Sequence, residues 1–490
     1  MLLRGPYGRQ KDNQWFRRVG GPSLILFFYT LIFTGIAVWR YENFLYVESG
    51  DLTIFEQVIY NTLHGRPFYS TADGQNHFGV HNSPILAFLV PFAALIPAPY
   101  LLYFFTVLSI AVSAIPIYLI ARDETGDELL ALFLLSCYIM LPGLVGQIYQ
   151  SFHEINLVLP FITFSFYYFV KERFYPFVAM FIFGLTVKED VSLTLFMYSI
   201  YATIKKREMK WRIFPAIMCI AWLLLSVKVI IPFFNNSSSY PMISYLSDMG
   251  SSFSDIIANT LSSPQSTLQR LLQPDRLFYL YTLLLPLGII LPFFSAEAAF
   301  AVPSLFLNML VETERFRYVE AKTSWGIAYI PRHMSLIVSV FLFISVIYSI
   351  KNISSAFGKY SKPAMFILVF LLFVMAGYGD RFMMSNKLYK RQSATASSNS
   401  IKRMLSLIPY GATVRADNDV ATHLYNRKDI NPSADTDTDY LVLQGLFYRN
   451  NRGLLNGDTG NPLDASITRK YDLVAFEKNY IALFKLKSRR

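Results

Sequence analysis

Residues 48–84, ESGDLTIFEQVIYNTLHGRPFYSTADGQNHFGVHNSP, follow the first long apolar segment and are too polar to lie in lipid. They carry three of the six histidines, His64, His77 and His81, together with Asp51, Glu56 and Asp73. Ionisable residues bunched beside a membrane span mark a functional site by default, because charge near lipid is costly unless it is paired, wetted or used. Within the stretch, Ile54, Phe55, Val58, Ile59 and Leu63 recur at helical spacing, and Gly65-Arg66-Pro67 ends the run. The expectation is a short amphipathic helix at the membrane interface, in an outer loop 40–84 that fronts a site.

Working outward, the next apolar segment, 85–98, is short and has prolines at 91 and 97. Crossing a bilayer takes roughly 17 residues or more, so this segment is read as dipping without crossing. That choice sets the side of every later loop. On the other flank, Arg4, Arg9, Lys11, Arg17 and Arg18 face a single acid, Asp12, which places the N-terminus in the cytoplasm. The strongest basic cluster between spans, Lys205, Lys206, Arg207, Lys210 and Arg212, then also falls inside. The apolar runs at 21–39, 100–120, 129–146, 155–170, 175–187, 191–204, 213–233, 276–294, 298–311, 333–350 and 364–378 read as about eleven transmembrane helices. The fold class is a polytopic α-helical membrane protein, multi-pass in the cell membrane.

Composition agrees. Of 490 residues, 53% are hydrophobic and 16% charged, against about 25% charged in a soluble chain. The net charge of +11 comes largely from short loops, where orientation and anionic headgroups explain it without nucleic acid. Cys137 and Cys219 both lie in apolar runs and read as packing residues, not as a disulfide or metal pair. After residue 380 the character changes. A polar linker, 381–399, leads to short alternating runs such as TDYLVLQGLF and YDLVAFEKNYIALFKLK. They predict a small soluble α/β domain over 400–490, extracytoplasmic on this parity. It has no Gly-rich phosphate loop, so no nucleotide is expected.

Four polar clusters interrupt the apolar pattern: Asp51 to His81, His153-Glu154, Lys188-Glu189-Asp190, and Arg332-His333. All four fall on the same outer face, though the parity was chosen on other grounds. Each also has a plainer reading. Asp51 follows Ser49-Gly50 and either caps the helix or serves chemistry. His77 and His81 have the spacing of metal ligands on a helix, but Gly79 between them favours a loop. His153-Glu154 is either a solvated helix start or part of a site. Lys188-Glu189-Asp190 has almost no loop around it and must sit near headgroup depth, where unpaired charge is costly. Arg332 either anchors a span in the headgroups or binds an anion.

The runs GDLTIFEQVIYNTLHGRPFYS, HFGVHNSPI, FHEINLVLP, VKEDVSL and VIIPFF, in this order over about residues 50–235, resemble the polytopic membrane family DUF2079. The C-terminal runs IPYGATVRADNDVATHLYNRKDI and DTDYLVL resemble that family's tail. The family looks like a branch of the GT-C glycosyltransferase fold. That resemblance implies a GT-C-like domain over 1–380 and a polyprenyl-phosphate-linked sugar donor at the outer leaflet. The acceptor, a lipid, glycan or protein, stays open. It also implies Asp51 as the first-loop acid and Glu154 as a second acid, the two candidate catalytic residues. Glu56, His153, Lys188, Glu189, Asp190 and Arg332 are then candidates for binding substrate. A divalent ion (Mg or Mn) on His77 and His81 is the expected metal. A lipid-linked sugar binding protein, flippase or transporter is the rival reading, although transporters usually show internal repeats and midplane sites.

Overall fold

The structure, a computed structural model, describes residues 14–45, 50–235, 240–311, 333–385, 395–431, 437–444, 467, 469–477 and 481–487. Among these, five helices are long and apolar enough to cross a membrane: Gly20–Glu42, Ala98–Thr125, Met209–Phe234, His333–Ser355 and Gly358–Gly377. A sixth span results if Glu128–Ile139 and Pro142–Tyr149, bent by 44°, count as one. The count of about eleven is therefore not what the structure shows. Hydropathy registers composition, whereas a long helix also needs an unbroken hydrogen-bond ladder. Pro142 interrupts the run 129–146, and Pro286, Gly288 and Pro292 turn the run 276–294 into one helix followed by 3-10 turns. Other apolar runs form helices of 10–17 residues, among them Glu154–Val170 and Phe174–Leu185.

Ala98–Thr125 and His333–Ser355 are the inner spans, mostly buried. Pro97 and Pro99 open the former. Gly126, at φ 67°, closes it, as a left-handed residue after a helix should. Asp127 then caps the next helix by accepting the N–H groups of Leu129 and Leu130. Gly20–Glu42, Met209–Phe234 and Gly358–Gly377 form the rim and leave most of their apolar surface exposed. Phe27, Leu31, Leu224 and Phe370 point outward there, as lipid-facing residues do.

The segment 85–98 forms only a 3-10 turn, Pro84–Phe88, and a one-turn helix, Val90–Ala93, too short to cross. The expected first-loop helix is present as Gly50–Leu63, and most of it is buried within the protein. Leu52, Phe55, Glu56, Gln57, Val58, Ile59 and Asn61 are all buried. The reason is the C-terminal region, which packs over it. Gln57 and Asn61 donate to the Lys428 carbonyl. Thr71 both donates to and accepts from the Ile430 backbone. Arg66 pairs with Asp429 at 2.8 Å. His423 stacks between Tyr41 and Phe44 at the end of the first long helix, and burial there pushes its pKa down to about 3.

That region carries a four-stranded sheet. Its strands are β3 Val414–Ala416, β4 Tyr440–Gln444, β5 Tyr471–Glu477 and β6 Ile481–Leu486, following a two-residue pair, β1 Tyr69–Ser70 and β2 Gln75–Asn76, in the first loop. The order is β3-β4-β6-β5, with β3 and β4 parallel and the other pairs antiparallel. The helix Ser361–Ser385 runs past residue 380 and the helix Thr395–Leu405 begins before 400. Of the expected linker 381–399, residues 386–394 lie outside the described residues.

Candidate functional site

The site grows from the turn between the helices Phe174–Leu185 and Val191–Leu195. There Lys188, Glu189 and Asp190 form the open first turn of the following helix, their carbonyls accepting from Val191, Ser192 and Leu193. The Ile85 N–H donates to the Thr186 carbonyl and ties the first loop to this turn. All three charges sit where water is scarce, so each needs a partner.

Glu189 is the most completely paired. Its Oε1 accepts from His81 Nδ1 at 2.8 Å and from the Tyr240 hydroxyl at 2.5 Å. Its Oε2 accepts the Asn82 N–H at 2.9 Å. Burial alone would push this carboxyl up, but His81, Lys188 and Tyr240 hold it below the usual carboxylate range. Lys188 forms a buried ion pair with Glu154, Nζ to Oε1 3.1 Å. Burial would lower the Lys188 pKa, but Glu154, Asp190 and Glu189 raise it, so the ammonium stays charged. Asp190 occupies the N-cap position of Val191–Leu195 yet makes no side-chain cap bond. Its Oδ1 is buried without a hydrogen-bond partner among the described residues. Burial pushes its pKa up, with Lys188 opposing and Glu189 adding to the rise.

Next to this core, Asp51 lies in the first turn of Gly50–Leu63, and its Oδ2 is 3.5 Å from His153 Nε2. The His153 ring stacks on His333, centroids 3.6 Å apart. Asp51, His153, Glu154, Lys188, Glu189, Asp190 and His81 thus form one neighbourhood, drawn from four stretches of chain. Glu56 stands apart: it is fully buried, and neither carboxylate oxygen has a hydrogen-bond partner among the described residues. Burial pushes its pKa well up. His77 is also buried, with Asp73 Oδ2 3.7 Å from its Nδ1. Arg332 lies outside the described residues.

A cavity partly open to solvent adjoins the charged turn, with about 1050 Å³ of empty space that includes the open solvent at its mouth. Leu223, Val227, Ile243, Leu246, Leu307 and Ile337 form apolar walls. The polar lining comes from Lys188, Glu189, Asp190, Tyr240, Asn308 and His333. Asp51 and Glu154 do not line it. The family model described as predicted membrane protein (DUF2079) matches residues 43–467. The chain belongs to this family.

No curated protein matches this DUF2079 chain. Among solved structures it is similar to ArnT from Cupriavidus metallidurans bound to undecaprenyl phosphate. Identity is 9% and the TM-score 0.44, over 92% of this chain and 97% of that one. The apo state of the same protein matches at 8% identity and the same score.

The two residues expected to hold a metal in this DUF2079 member, His77 and His81, both lie in the first loop. His77 and His81 do share a turn, for the His81 N–H donates to the His77 carbonyl. Their ring centroids are 6.2 Å apart at 62°, and His81 Nδ1 lies 2.8 Å from Glu189 Oε1. Among the described residues no group of three or more His, Cys, Asp or Glu is arranged to hold a metal ion. Sequence reasoning missed Tyr240, Asn82 and Asn308. Tyr240 follows a run of polar Ser and Asn, and Asn82 acts through its backbone N–H, so neither carried a signal. Asn308 lay in an apolar run, where a lone amide was the only hint.

Proposed function

We propose that this protein is a membrane glycosyltransferase of GT-C type, moving a sugar from a polyprenyl-phosphate-linked donor to an acceptor at the outer leaflet. The single observation that carries the reading is the cavity: apolar walls meet a lining of charged and polar side chains. A soluble substrate would gain little from such walls; an amphipathic lipid gains on both parts. The chemistry is displacement of lipid phosphate from the sugar C1 by an acceptor group. Lys188 and His333, both on the cavity wall, face the phosphate and stabilise the charge that grows on it as it leaves. Asp51 holds His153, on which His333 stacks, so the first-loop acid acts by positioning. Glu154 keeps Lys188 charged and aimed. The C-terminal region, docked on the first-loop helix, lies on the extracytoplasmic side and holds the acceptor or a partner.

The test uses the full chain in proteoliposomes with a mixed pool of polyprenyl-phosphate-linked sugars, following lipid-phosphate release. Wild type releases phosphate, and Leu307→Trp, which puts a bulky ring on the cavity wall, releases much less. Silence of the wild type across a broad donor pool would point to lipid binding or transport instead.

A further inference from the structure

We infer that Asp190 is the general base of this site, taking the proton from a hydroxyl acceptor. The inference rests on the glycosyl-transfer reading above. Four carboxylates gather near the cavity, and geometry separates them. Glu154 is committed to Lys188 and lies off the cavity wall. Glu189 is on the wall, but both of its oxygens already accept hydrogen bonds, from His81, Tyr240 and the Asn82 N–H. Asp51 is half-exposed against His153 and off the wall. Asp190 is on the wall, bonds no backbone group of its own helix, and keeps an oxygen without a partner among the described residues. A carboxylate held in an apolar cavity is also a stronger base than one in water, and burial pushes Asp190 in that direction.

The step balances without a co-reactant. The acceptor oxygen forms a bond to the sugar C1. The bond from C1 to the phosphate oxygen breaks, and its electron pair leaves on the lipid phosphate. The acceptor's proton passes to Asp190 and then to water. Asn308, also on the wall, offers the acceptor an amide contact.

Two measurements on the reconstituted full chain test this. In the phosphate-release assay, Asp190→Asn lowers kcat about 100-fold or more, with KM for the donor unchanged, and Asp190→Glu restores part of the rate. Separately, wild type is treated with dicyclohexylcarbodiimide, which modifies protonated carboxyls in apolar surroundings, and the adduct is mapped by mass spectrometry. The adduct forms on Asp190, faster at lower pH, and added polyprenyl phosphate blocks it. The titratable or charged groups facing Asp190 are Lys188, Glu189, Glu154, His81 and Tyr240, with His333 also on the cavity wall; labelling on Glu189 or Glu154 in place of Asp190 overturns the assignment. So does an Asp190→Asn protein that turns over like wild type. No release by wild type from any donor refutes glycosyl transfer itself, and the base with it.

Discussion

Replacing Lys188 with Met leaves Glu154, only 2% exposed, without its counter-charge. At the observed 3.1 Å separation, the Coulomb attraction is about 5 kcal/mol for an effective dielectric of about 20. Removing one partner of a buried pair costs about 3–5 kcal/mol, because the other charge stays desolvated. The two figures agree, so Lys188→Met destabilises the protein by about 4 kcal/mol. Glu189 suffers less, since His81, Tyr240 and the Asn82 N–H remain. Adding Glu154→Gln to Lys188→Met removes the stranded charge and recovers about half the loss or more, a coupling of about 2 kcal/mol. The assay is reversible denaturation of the full chain in bicelles for wild type, both single variants and the double variant. Lys210→Met is the control: it breaks an exposed pair with Glu208 and leaves stability near wild type. If Lys188→Met costs no more than the control, or the two substitutions simply add, the pair is wet and the site is an open surface.

Glu56 supplies a pH test. Burial raises its folded pKa well above the ordinary value of 4.5, so between those two values the folded chain holds a proton that the unfolded chain has lost. Stability of wild type then falls with rising pH, by about 1.4 kcal/mol per unit. Glu56→Gln removes that slope. It unfolds harder than wild type at pH 7, and the difference vanishes near pH 4 in pH-stepped denaturation; an equal slope in both would place Glu56 in water. Gly79→Ala tests the first loop's seat on the span Met209–Phe234. An added Cβ would stand 2.8 Å from the Phe234 carbonyl oxygen and 3.1 Å from the Asn235 nitrogen. Backbone cannot yield as a side chain tip can, so the variant loses about 1–3 kcal/mol. Unfolding like wild type would show that this contact does not form.

Much of the class of this protein was readable from sequence. Long apolar runs forced a helical membrane protein, because backbone polar groups in lipid must bond within their own segment. The short runs of strand-forming residues after residue 380 foretold the sheet now seen in β3 to β6. The Lys188-Glu189-Asp190 triplet stood out because charge between apolar stretches has to be paired, and the structure pairs Lys188 and Glu189. Motif order alone placed the chain in DUF2079.

Tertiary structure decided the rest, and for physical reasons. Among the described residues five or six helices are long enough to span, because some apolar runs are broken at proline and others form helices of only 10–17 residues. The first-loop helix looked amphipathic, yet its polar face is buried because Gln57, Asn61 and Thr71 bond residues 428 and 430, far along the chain. Which carboxylate faces the cavity was likewise beyond sequence. Asp51, Glu154, Glu189 and Asp190 are alike as residue types, and only their neighbours distinguish them. Glu189 accepts hydrogen bonds from groups 51 and 108 positions away, while Asp190, the next residue, keeps an unpartnered oxygen and a place on the cavity wall. Sequence determines which charges exist; their desolvation and pairing, and hence their chemistry, are set by contacts that form only when distant segments meet.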